Sequence, residues 1–403
     1  MSRISVIGLD GTPLVPEAEK LVREAALVVG GRRHLGELGV EPERSALLVG
    51  DLSEAMGEIE RTDGPVAVLA SGDPGFFGIV RMLGERFGRK DLRVLPGRSS
   101  VALAFARAGL HWDDAVVVSA HGREPRRAVN VCRAHQKVAV LTSPGFGPAE
   151  LARELRGWGR YLFVAEDLGG EERVFGGDAA TVAGMEWRDP NVVIAIDEGR
   201  ATARKGWVSS GTGSPGRWAL PEDEFEHRSG MITKAEIRSA ILARLGPGRG
   251  DLIWDVGAGS GSVAVECARL GAAAIAVEHD GESCERIRRN AARHGVSIRV
   301  VEGEAPGVLH DLPEPDAVFV GGTGARFEEI VKLSAVAARR AVVLTLISLE
   351  RVVPAAEVLE GCGLEVETTL LQASKVRGVG PLHRLVPETP VFVVSGTRDG
   401  VTA

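Results

Sequence analysis

The segment from Leu252 to Asp280 constrains this chain more than any other, because it has the order strand, glycine-rich loop, helix and strand. An apolar run leads into the loop Gly257-Ala258-Gly259-Ser260-Gly261, and a helical pattern then returns the chain to a second apolar run that ends at Glu278. Alternating glycines let the main chain turn sharply off a strand and approach a ligand closely. An acid at the tip of the next strand, about 20 residues on, can accept both hydroxyls of a ribose. The segment therefore predicts a nucleoside-binding unit, with a purely structural turn as the alternative.

The spacing of the three glycines distinguishes two classes of nucleoside cofactor. NAD-binding loops follow the pattern G-x-G-x-x-G, whose third glycine is matched to the pyrophosphate. This loop has the pattern G-x-G-x-G, which favours S-adenosylmethionine, a methyl donor, over NAD. The competing interpretations are an NAD-binding regulatory or redox protein and a methyltransferase acting on an RNA base. The sequence lacks the N/D-P-P-Y/F motif typical of the second.

Length and charge limit the possible functions further. A chain of 403 residues exceeds a single typical domain, so two domains are expected. A net charge of −7 argues against a nucleic-acid partner, which requires a basic face. The apolar runs are shorter than the ~18 residues that predict a membrane span, and the N-terminus reads as a strand rather than a signal peptide. Four cysteines without C-x-x-C spacing predict buried thiols rather than a disulfide or a zinc site. We therefore expect a cytoplasmic protein without a structural metal.

The rest of the chain repeats the strand–loop–helix scheme. In the first half, strands that end near Gly8, Ser71 and Leu95 each enter a turn or glycine-rich loop before a helical pattern, which predicts a parallel-rich α/β layer. The small, polar stretch 208–216 predicts a linker between a domain at 1–207 and a domain at 217–403. From Glu365 onward the chain is rich in strands, which predicts an antiparallel edge on an otherwise parallel sheet.

Four segments of the first half carry the pattern of a known family. They are VIGLDGTP at 6–13, LASGDPGFFG at 69–78, PGRSSVALAFARAGLHWDD at 96–114 and SAHGR at 119–123. These segments resemble the class III, or tetrapyrrole, methyltransferases, in which two α/β lobes hold S-adenosylmethionine in a folded conformation. The first motif of that family usually reads G-x-G-x-G, whereas this chain has Asp10 at the central position.

Five segments of the second half resemble the class I methyltransferases of corrin biosynthesis, a pathway that also uses class III methyltransferases. They are GMITKAEIRSAIL at 230–242, DVGAGSGSVAVE at 255–266, VEHD at 277–280, GEAPGVL at 303–309 and VGGTG at 320–324. The two resemblances imply a two-lobed tetrapyrrole-methylase domain followed by a Rossmann-like class I domain, with one S-adenosylmethionine in each.

The same resemblances imply an activity. They point to a bifunctional C-methyltransferase that modifies a reduced tetrapyrrole at C5 in the first domain and at C15 in the second, where it also decarboxylates the C12 acetate. They further imply a homo-oligomer, either a dimer or a tetramer. The fusion of the two domains resembles the metal-free branch of the pathway, and a cobalt-containing substrate is the alternative. A methyltransferase fusion that acts on a related uroporphyrinoid is a further alternative.

The family motifs and the loop positions together predict contacts to the methyl donor. Helix capping is the alternative role for Asp73, Ser99, Ser100 and Thr233, and Glu304 has the alternative of a solvated loop acid. The first-domain candidates are Gly8, Gly72, Asp73, Ser99 and Ser100. The second-domain candidates are Thr233, Gly257, Gly259, Gly261, Glu278, Gly303, Glu304, Ala305, Gly321 and Gly322.

A tetrapyrrole with many acetate and propionate arms calls for cationic side chains, above all arginine forks. For each single cation a solvated surface position is the alternative. The candidates for substrate binding are Arg123, Arg126, Arg127, Lys375, Arg377 and Arg384. Decarboxylation also needs a proton donor, for which the histidine candidates are His121, His310 and His383. The sequence assigns no catalytic residue among them.

Overall fold

The computed structural model describes residues 3–48, 52–121, 124–199, 216–228 and 232–398. These residues form three large β-sheets, two in the first half of the chain and one in the second, and a separate two-stranded hairpin. Nearly all of the predicted linker at 208–216, together with Arg123, lies outside the described residues. Within the described residues, no helix combines the length and the apolar character needed to cross a bilayer.

The first lobe is a five-stranded, wholly parallel sheet in the order β3-β2-β4-β1-β5. Side chains alternate across the sheet: Ile4 and Val6 pack with α3 and α4, whereas Ile7 packs with α1 and α2 on the other face. Helices cover both faces, as a parallel sheet requires, and the predicted parallel layer is confirmed. The elements are β1 (Ile4–Leu9), α1 (Pro16–Glu24), β2 (Leu27–Gly30), α2 (Arg32–Glu37), β3 (Ser45–Leu47), α3 (Ser53–Arg61), β4 (Val66–Ser71), α4 (Val80–Phe87) and β5 (Leu92–Leu95).

The second lobe is a mixed sheet in the order β6-β7-β10-β8-β9. Strands β6 and β7 are parallel, and the remaining neighbours are antiparallel. Helix α5 links the lobes and packs on β8 and β10. The elements are α5 (Ser100–Ala108), β6 (Val116–Ser119), α6 (Pro125–Ala134), β7 (Lys137–Leu141), α7 (Pro148–Glu154), β8 (Tyr161–Glu166), β9 (Arg173–Asp178), α8 (Ala179–Ala183) and β10 (Asn191–Ile196).

The second half forms a seven-stranded sheet in the order β13-β12-β11-β14-β15-β19-β16. Ile253 and Phe319 pack with α9 and α10 on one face, and Trp254 and Val318 pack with α12 and α13 on the other. The elements are α9 (Ala235–Leu245), β11 (Leu252–Val256), α10 (Ser262–Arg269), β12 (Ala273–Glu278), α11 (Gly281–Arg293), β13 (Arg299–Glu302), β14 (Ala317–Val320), α12 (Phe327–Ala337), β15 (Ala341–Leu346), α13 (Val352–Gly361), β16 (Glu365–Leu371), β17 (Ser374–Val379), β18 (Leu382–Pro387) and β19 (Val391–Thr397).

Strand direction determines which loops share an edge of the third sheet. Strands β11 to β15 are parallel, and β19 is antiparallel to both β15 and β16, which confirms the predicted antiparallel edge. Strand β16 therefore runs in the direction of β15. The β17–β18 hairpin, which follows β16, consequently leaves the sheet at the carboxyl edge of the parallel strands.

The two halves of the chain contact each other at the opposite edge. The Arg126 guanidinium, on α6, donates to both carboxylate oxygens of Asp316 at 2.7 Å, just ahead of β14. The buried Asn130 donates to the Gly250 carbonyl, just ahead of β11, at 3.0 Å. Trp158 also packs into the core of the third sheet. The interface thus leaves the carboxyl edge of that sheet open for a ligand.

All four cysteines are free thiols. Cys132, Cys267 and Cys284 are buried, as predicted, and Cys362 is half-buried. Burial raises the pKa of the Cys132 thiol to about 12, so this group is inert at neutral pH.

Candidate cofactor sites

The glycine loop after β11 has the backbone that its sequence predicts. Gly257, Gly259 and Gly261 have φ angles of +67°, +56° and +71°, a region that favours glycine. A Cβ at Gly257 would lie 2.8 Å from the Gly322 nitrogen, and one at Gly261 would lie 2.8 Å from Cγ2 of Ile287. A Cβ at Gly259 would meet open space. The outer glycines are therefore required by packing, and the middle one faces free volume at the sheet edge.

Glu278 lies directly beneath this loop and is 6% exposed. Its carboxylate accepts hydrogen bonds from the Gly259 nitrogen at 2.8 Å and from the nitrogens of His279 and Asp280 at 2.9 and 3.1 Å. Nδ1 of His279 also lies 3.0 Å from Oε1 of this carboxylate. Each carboxylate oxygen has two lone pairs, and Oε2 accepts only the bond from Gly259, so Oε2 has capacity for a hydroxyl. This environment fits the ribose-binding role predicted for Glu278.

The remaining loops at this edge converge on the same point. The Gly303 nitrogen donates to the Glu278 carbonyl, and the Gly321 nitrogen donates to the Val256 carbonyl, both at 2.9 Å. Glu304 is exposed and Ala305 half-buried on the loop after β13. The structure therefore brings together the loops of β11, β12, β13 and β14 that the sequence proposes for one cofactor.

Thr233 does not cap helix α9, so that alternative is wrong. The N-cap position is Lys234, and the first helical nitrogen, on Ala235, donates to Oε1 of Glu222 at 3.0 Å instead. The Thr233 carbonyl accepts a bond from the buried Arg238. A cofactor contact by the Thr233 side chain stays a prediction.

In the first lobe, three loops meet at the carboxyl edge of β1, β4 and β5. A Cβ on Gly8 would collide with the Gly72 carbonyl and the Gly97 nitrogen, and one on Gly97 would lie 2.8 Å from the Gly72 oxygen. Gly72 has a φ of +62°. These glycines are therefore needed for the close approach of the three loops.

Asp10, where the resembling family has glycine, has a structural role in the same region. Its carboxylate accepts from the Arg98 main-chain nitrogen at 3.0 Å and from Arg98 Nε at 2.8 Å. The Arg98 bond holds the pKa of the Asp10 carboxyl well below its usual range. The Asp10 side chain thus joins the loop after β1 to the loop after β5, and it stabilises the contact between these two loops.

The carboxyl edges of the two first-half sheets face each other. Strand β8 runs in the direction of β7, so the 167–170 loop after it lies at the carboxyl edge of the second lobe. A Cβ on Gly11 would collide with Gly169 of that loop, and Arg33 pairs with Asp167 at 3.4 Å. A cleft between two such edges is where open α/β sheets bind ligands.

Among the first-domain candidates, Ser99 caps a helix and Asp73 does not. Ser99 is the N-cap of α5 and its Oγ accepts from the Ala102 nitrogen at 3.1 Å, while Ser100 is the first residue of that helix. Asp73 caps no helix, because α4 begins only at Val80. Its Oδ1 accepts from the Gly75 nitrogen at 2.8 Å and shapes the loop.

Two family models together match nearly the whole chain. The model described as tetrapyrrole (corrin/porphyrin) methylases matches residues 7–202, and the model described as precorrin methyltransferase domain matches residues 223–398. A precorrin-6Y C(5,15)-methyltransferase (decarboxylating) from Sinorhizobium sp is 41% identical over 79% of this chain and 77% of its own length. The chain belongs to the precorrin-6Y C(5,15)-methyltransferase family.

Two further relatives each match less than half of the chain. A probable cobalt-precorrin-6B C(15)-methyltransferase (decarboxylating) from Pyrobaculum calidifontis is 35% identical over 44% of this chain and 94% of its own length. A cobalt-precorrin-7 C(5)-methyltransferase from Salmonella typhimurium is 33% identical over 46% of this chain and 92% of its own length. The predicted fusion of a tetrapyrrole methylase with a class I methyltransferase is confirmed, and membership of this methyltransferase family implies the use of S-adenosylmethionine.

The substrate candidates of this precorrin methyltransferase fall into two groups. Arg126 is committed to Asp316 at the interface between the halves, and the exposed Arg127 lies beside Gly250 there, at the opposite edge of the third sheet from the Gly257 loop. Arg377 and Arg384 are exposed and directly opposite each other on the β17–β18 hairpin, which leaves the sheet at the cofactor edge. Only the hairpin group is placed to meet a substrate at the second cofactor site.

Lys375, on the same hairpin, has acidic neighbours. Its Nζ lies 3.5 to 3.9 Å from carboxylate oxygens of Glu222, Glu236 and Glu388. These contacts attach the hairpin to α9 and to the segment before it. We therefore assign Lys375 a part in positioning the hairpin.

The three histidine candidates lie at carboxyl edges. His121 follows β6 and lines a cleft of about 560 Å³ together with the 143–146 loop after β7. His310 is exposed on a short 3-10 helix that follows the Gly303 loop, and His383 is exposed on β18. Their place in the fold is compatible with contact to substrate, and their roles stay predictions.

Sequence reasoning missed Arg351, which organises the loop after β14. Its guanidinium donates to Thr323 Oγ1 and to the Gly324 carbonyl, both at 3.1 Å, and lies 5.3 Å from the centre of the Phe327 ring. This arginine also lines a cleft of about 510 Å³ beside that loop. No motif in the sequence signals this contact, since it joins residues 27 or 28 positions apart.

Asn290 on α11 was also missed, although it supports the glycine loop directly. It is fully buried, its Nδ2 donates to the Ser260 carbonyl at 2.9 Å and to the Glu226 carbonyl at 3.0 Å, and its Oδ1 accepts from the Glu226 nitrogen at 2.8 Å. One amide thus fixes the loop to α11 and to the segment that precedes α9.

Replacing Asn290 with alanine is expected to weaken S-adenosylhomocysteine binding by the second domain about tenfold, because a buried carbonyl of the loop loses its donor. Isothermal titration of the full chain measures this affinity. Asn130→Ala is the matched control, since Asn130 is also fully buried and donates to a backbone carbonyl, that of Gly250. Equal affinity in the two variants would contradict the positioning role of Asn290.

Asp255 replaces the N-cap that α10 lacks. The N-cap position is Gly261, which has no side chain, and Asp255 Oδ2 accepts from the Ala264 nitrogen in the first turn at 2.9 Å. Burial, together with the negative charge of the neighbouring Glu278, raises the pKa of the Asp255 carboxyl to about 7. The group is therefore protonated in the folded protein at mildly acidic pH.

This raised pKa gives a stability prediction with a defined sign. Between about pH 4 and pH 7 the folded state holds a proton that the unfolded state has released, so the free energy of unfolding falls as pH rises through that range. For the rise from 3.8 to about 7 the loss is on the order of 4 kcal/mol. Asp255→Asn removes this ionisation, and urea unfolding of both proteins from pH 5 to pH 8 should show a flatter profile for the variant. Parallel profiles would contradict the assignment.

Proposed function

We propose that this chain methylates precorrin-6Y at C5 and C15 and decarboxylates its C12 acetate to give precorrin-8X. The domain at 1–207 carries out C5 methylation, and the domain at 217–403 carries out C15 methylation and decarboxylation. The observation that carries the proposal is that one chain holds two separate glycine-lined carboxyl edges, one at Gly8 and one at Gly257. Each of the two domains holds one S-adenosylmethionine.

S-adenosylmethionine, when bound, supplies an electrophilic methyl group on a sulfonium. The protein must hold the methyl group of the donor in line with the acceptor carbon and must exclude water. In the second domain, Glu278 would hold the ribose, and the Gly257 and Gly321 loops would lie under the methionine moiety. Glu304 would accept from the adenine amino group. In the first domain, the Gly8, Gly72 and Gly97 loops would have the corresponding position under the donor.

Decarboxylation proceeds by breaking the bond between the acetate methylene and its carboxylate. The electron pair flows into the conjugated macrocycle, CO₂ leaves, and a proton is added to the resulting carbon. The guanidinium groups of Arg377 and Arg384 hold acidic arms of the substrate by charge-assisted hydrogen bonds. His310 supplies the proton, since it belongs to the second domain, whereas His383 lies on the opposite face of the hairpin from Arg377 and Arg384.

The test is mass spectrometry of the full chain incubated with S-adenosylmethionine and metal-free precorrin-6Y, with the cobalt complex in a parallel incubation. The expected product has gained two methyl groups and lost one CO₂. Equilibrium dialysis should find two S-adenosylhomocysteine molecules bound per chain. An unchanged mass with both substrates would refute the proposal, whereas conversion of the cobalt complex alone would favour the cobalt-containing alternative.

We also infer a cytoplasmic homo-oligomer. Val376 and Leu385 lie directly opposite each other on one face of the hairpin and are each at least 65% exposed, which is unusual for apolar side chains that have no partner. A second copy of the chain is a suitable partner for this face. Sedimentation velocity of the wild type and of a Val376→Ser, Leu385→Ser variant measures the assembly, and a monomeric wild type would contradict the inference.

A further inference from the structure

Phe77, in the loop after β4, has a backbone conformation that is unfavourable for a bulky residue. Its φ is +54°, and among the described residues only Asp167 and Ala219 are other non-glycines with positive φ. Such strain persists only where the surrounding structure enforces it, and it concentrates at ligand sites. The strain therefore marks this loop as a candidate ligand site.

The two adjacent rings are presented to solvent. Phe77 is 49% exposed and Phe76 is 36% exposed, and their centroids lie 4.9 Å apart in an edge-to-face pair. Neither ring belongs to a hydrophobic core cluster of the described residues. The pair is thus an exposed aromatic surface that contributes little to folding.

The loop that carries the rings is well fixed. The Gly75 nitrogen donates to Asp73 Oδ1 at 2.8 Å, the Phe76 nitrogen to the Asp73 carbonyl at 3.1 Å, and the Val80 nitrogen to the Pro74 carbonyl at 3.3 Å. A Cβ on Gly78 would collide with Pro74. The strained conformation of Phe77 is therefore imposed by a closed loop.

The two rings lie on a loop that begins at the proposed donor site of the first domain. The loop begins at Gly72, which packs against Gly8 and Gly97 at the proposed donor site of the first domain. Arg98, whose main-chain oxygen is 3.3 Å from a Cβ built on Gly72, has a side chain that is 54% exposed. A flat conjugated ring with acidic arms complements an aromatic surface flanked by a cation.

We propose that the Phe76–Phe77 pair is a platform on which one face of the tetrapyrrole substrate packs during methylation in the first domain. This inference rests on the proposed function, because it takes the substrate class from it. The platform positions the macrocycle edge over the Gly72 loop. The Nε of Arg98 pairs with Asp10, and its terminal amino groups bind one of the substrate carboxylates.

Phe77→Gly in the full chain separates this role from a structural one, because glycine removes the ring and also relieves the strain. The melting temperature should stay equal or rise. The KM for the tetrapyrrole in C5 methylation should rise at least tenfold, with S-adenosylhomocysteine stoichiometry and C15 methylation unchanged. Carbon-13 methyl labelling and NMR distinguish the two methylated positions.

Ala219→Gly is the matched control, since it relieves a φ of +52° in the other domain without removing a ring. An unchanged KM in Phe77→Gly, or a change of oligomeric state with an equal loss of both activities, would overturn the platform. Direct titration of the tetrapyrrole against each variant is measured in parallel. If the wild type binds the tetrapyrrole but does not methylate it, the proposed activity is wrong. Weaker binding of the tetrapyrrole by Phe77→Gly would still support the platform in that case.

Discussion

Replacing Gly257 with alanine is expected to reduce C15 methylation and decarboxylation at least about 100-fold while C5 methylation continues. The new Cβ would lie 2.8 Å from the Gly322 nitrogen, and the φ of +67° disfavours any side chain. The loops after β11 and β14 must then separate, and a displacement of about 1 Å at a reacting centre costs on the order of 10²-fold in rate. Carbon-13 methyl labelling measures each methylation in the same reaction.

Gly246→Ala is the control for this variant. Gly246 ends helix α9 with a φ of +55°, and a Cβ there would meet open space. It therefore reproduces the backbone strain of Gly257→Ala without the collision, and it should retain both activities. Equal loss of C5 and C15 methylation in Gly257→Ala would contradict the independence of the two sites.

Replacing Gly8 with alanine is expected to have the reciprocal effect, a loss of C5 methylation of at least about 100-fold with C15 methylation retained. A Cβ at Gly8 would collide with the main chain of Gly72 and of Gly97 at once, so all three donor loops must separate. Equilibrium dialysis should show one S-adenosylhomocysteine per chain instead of two.

The control for the Gly8 variant is Gly36→Ala in helix α2, where a Cβ would meet nothing within 4 Å. Alanine in a helix interior costs less than glycine, so this control should be as stable as the wild type or more so. Two bound ligands in Gly8→Ala would show that the three-loop junction is not a donor site.

The separation of these effects depends on how the halves are joined. Among the described residues, the contacts through Arg126, Asn130 and Asp316 lie at the amino edge of the third sheet, whereas the Gly257 loop lies at its carboxyl edge. A collision at the Gly257 loop therefore occurs at the opposite edge of that sheet from these contacts. This arrangement is compatible with the proposal of one S-adenosylmethionine in each domain.

Local sequence determined the strand ends and the loops that form the sites. Glycines at 8, 72, 257 and 261 lie at the strand ends or in the loops that follow them, where a positive φ or a close approach of two main chains excludes other residues. This requirement is visible in the sequence itself. Alternation of strands with helices likewise predicted the parallel sheets. Apolar runs after Glu365 predicted the antiparallel edge.

The roles of several polar side chains were decided only by tertiary structure. Arg126 was predicted to bind substrate and instead pairs with Asp316, 190 positions away. Asn290 reaches Ser260 and Asp255 caps α10, and neither contact follows a local pattern. The mixed order of the second lobe was not predicted either, because strand direction depends on pairing between distant segments. The backbone conformation of a turn depends on a few neighbouring residues, so the local sequence predicts it. The partner of a polar side chain depends on the packing of distant segments, so only the tertiary structure determines it.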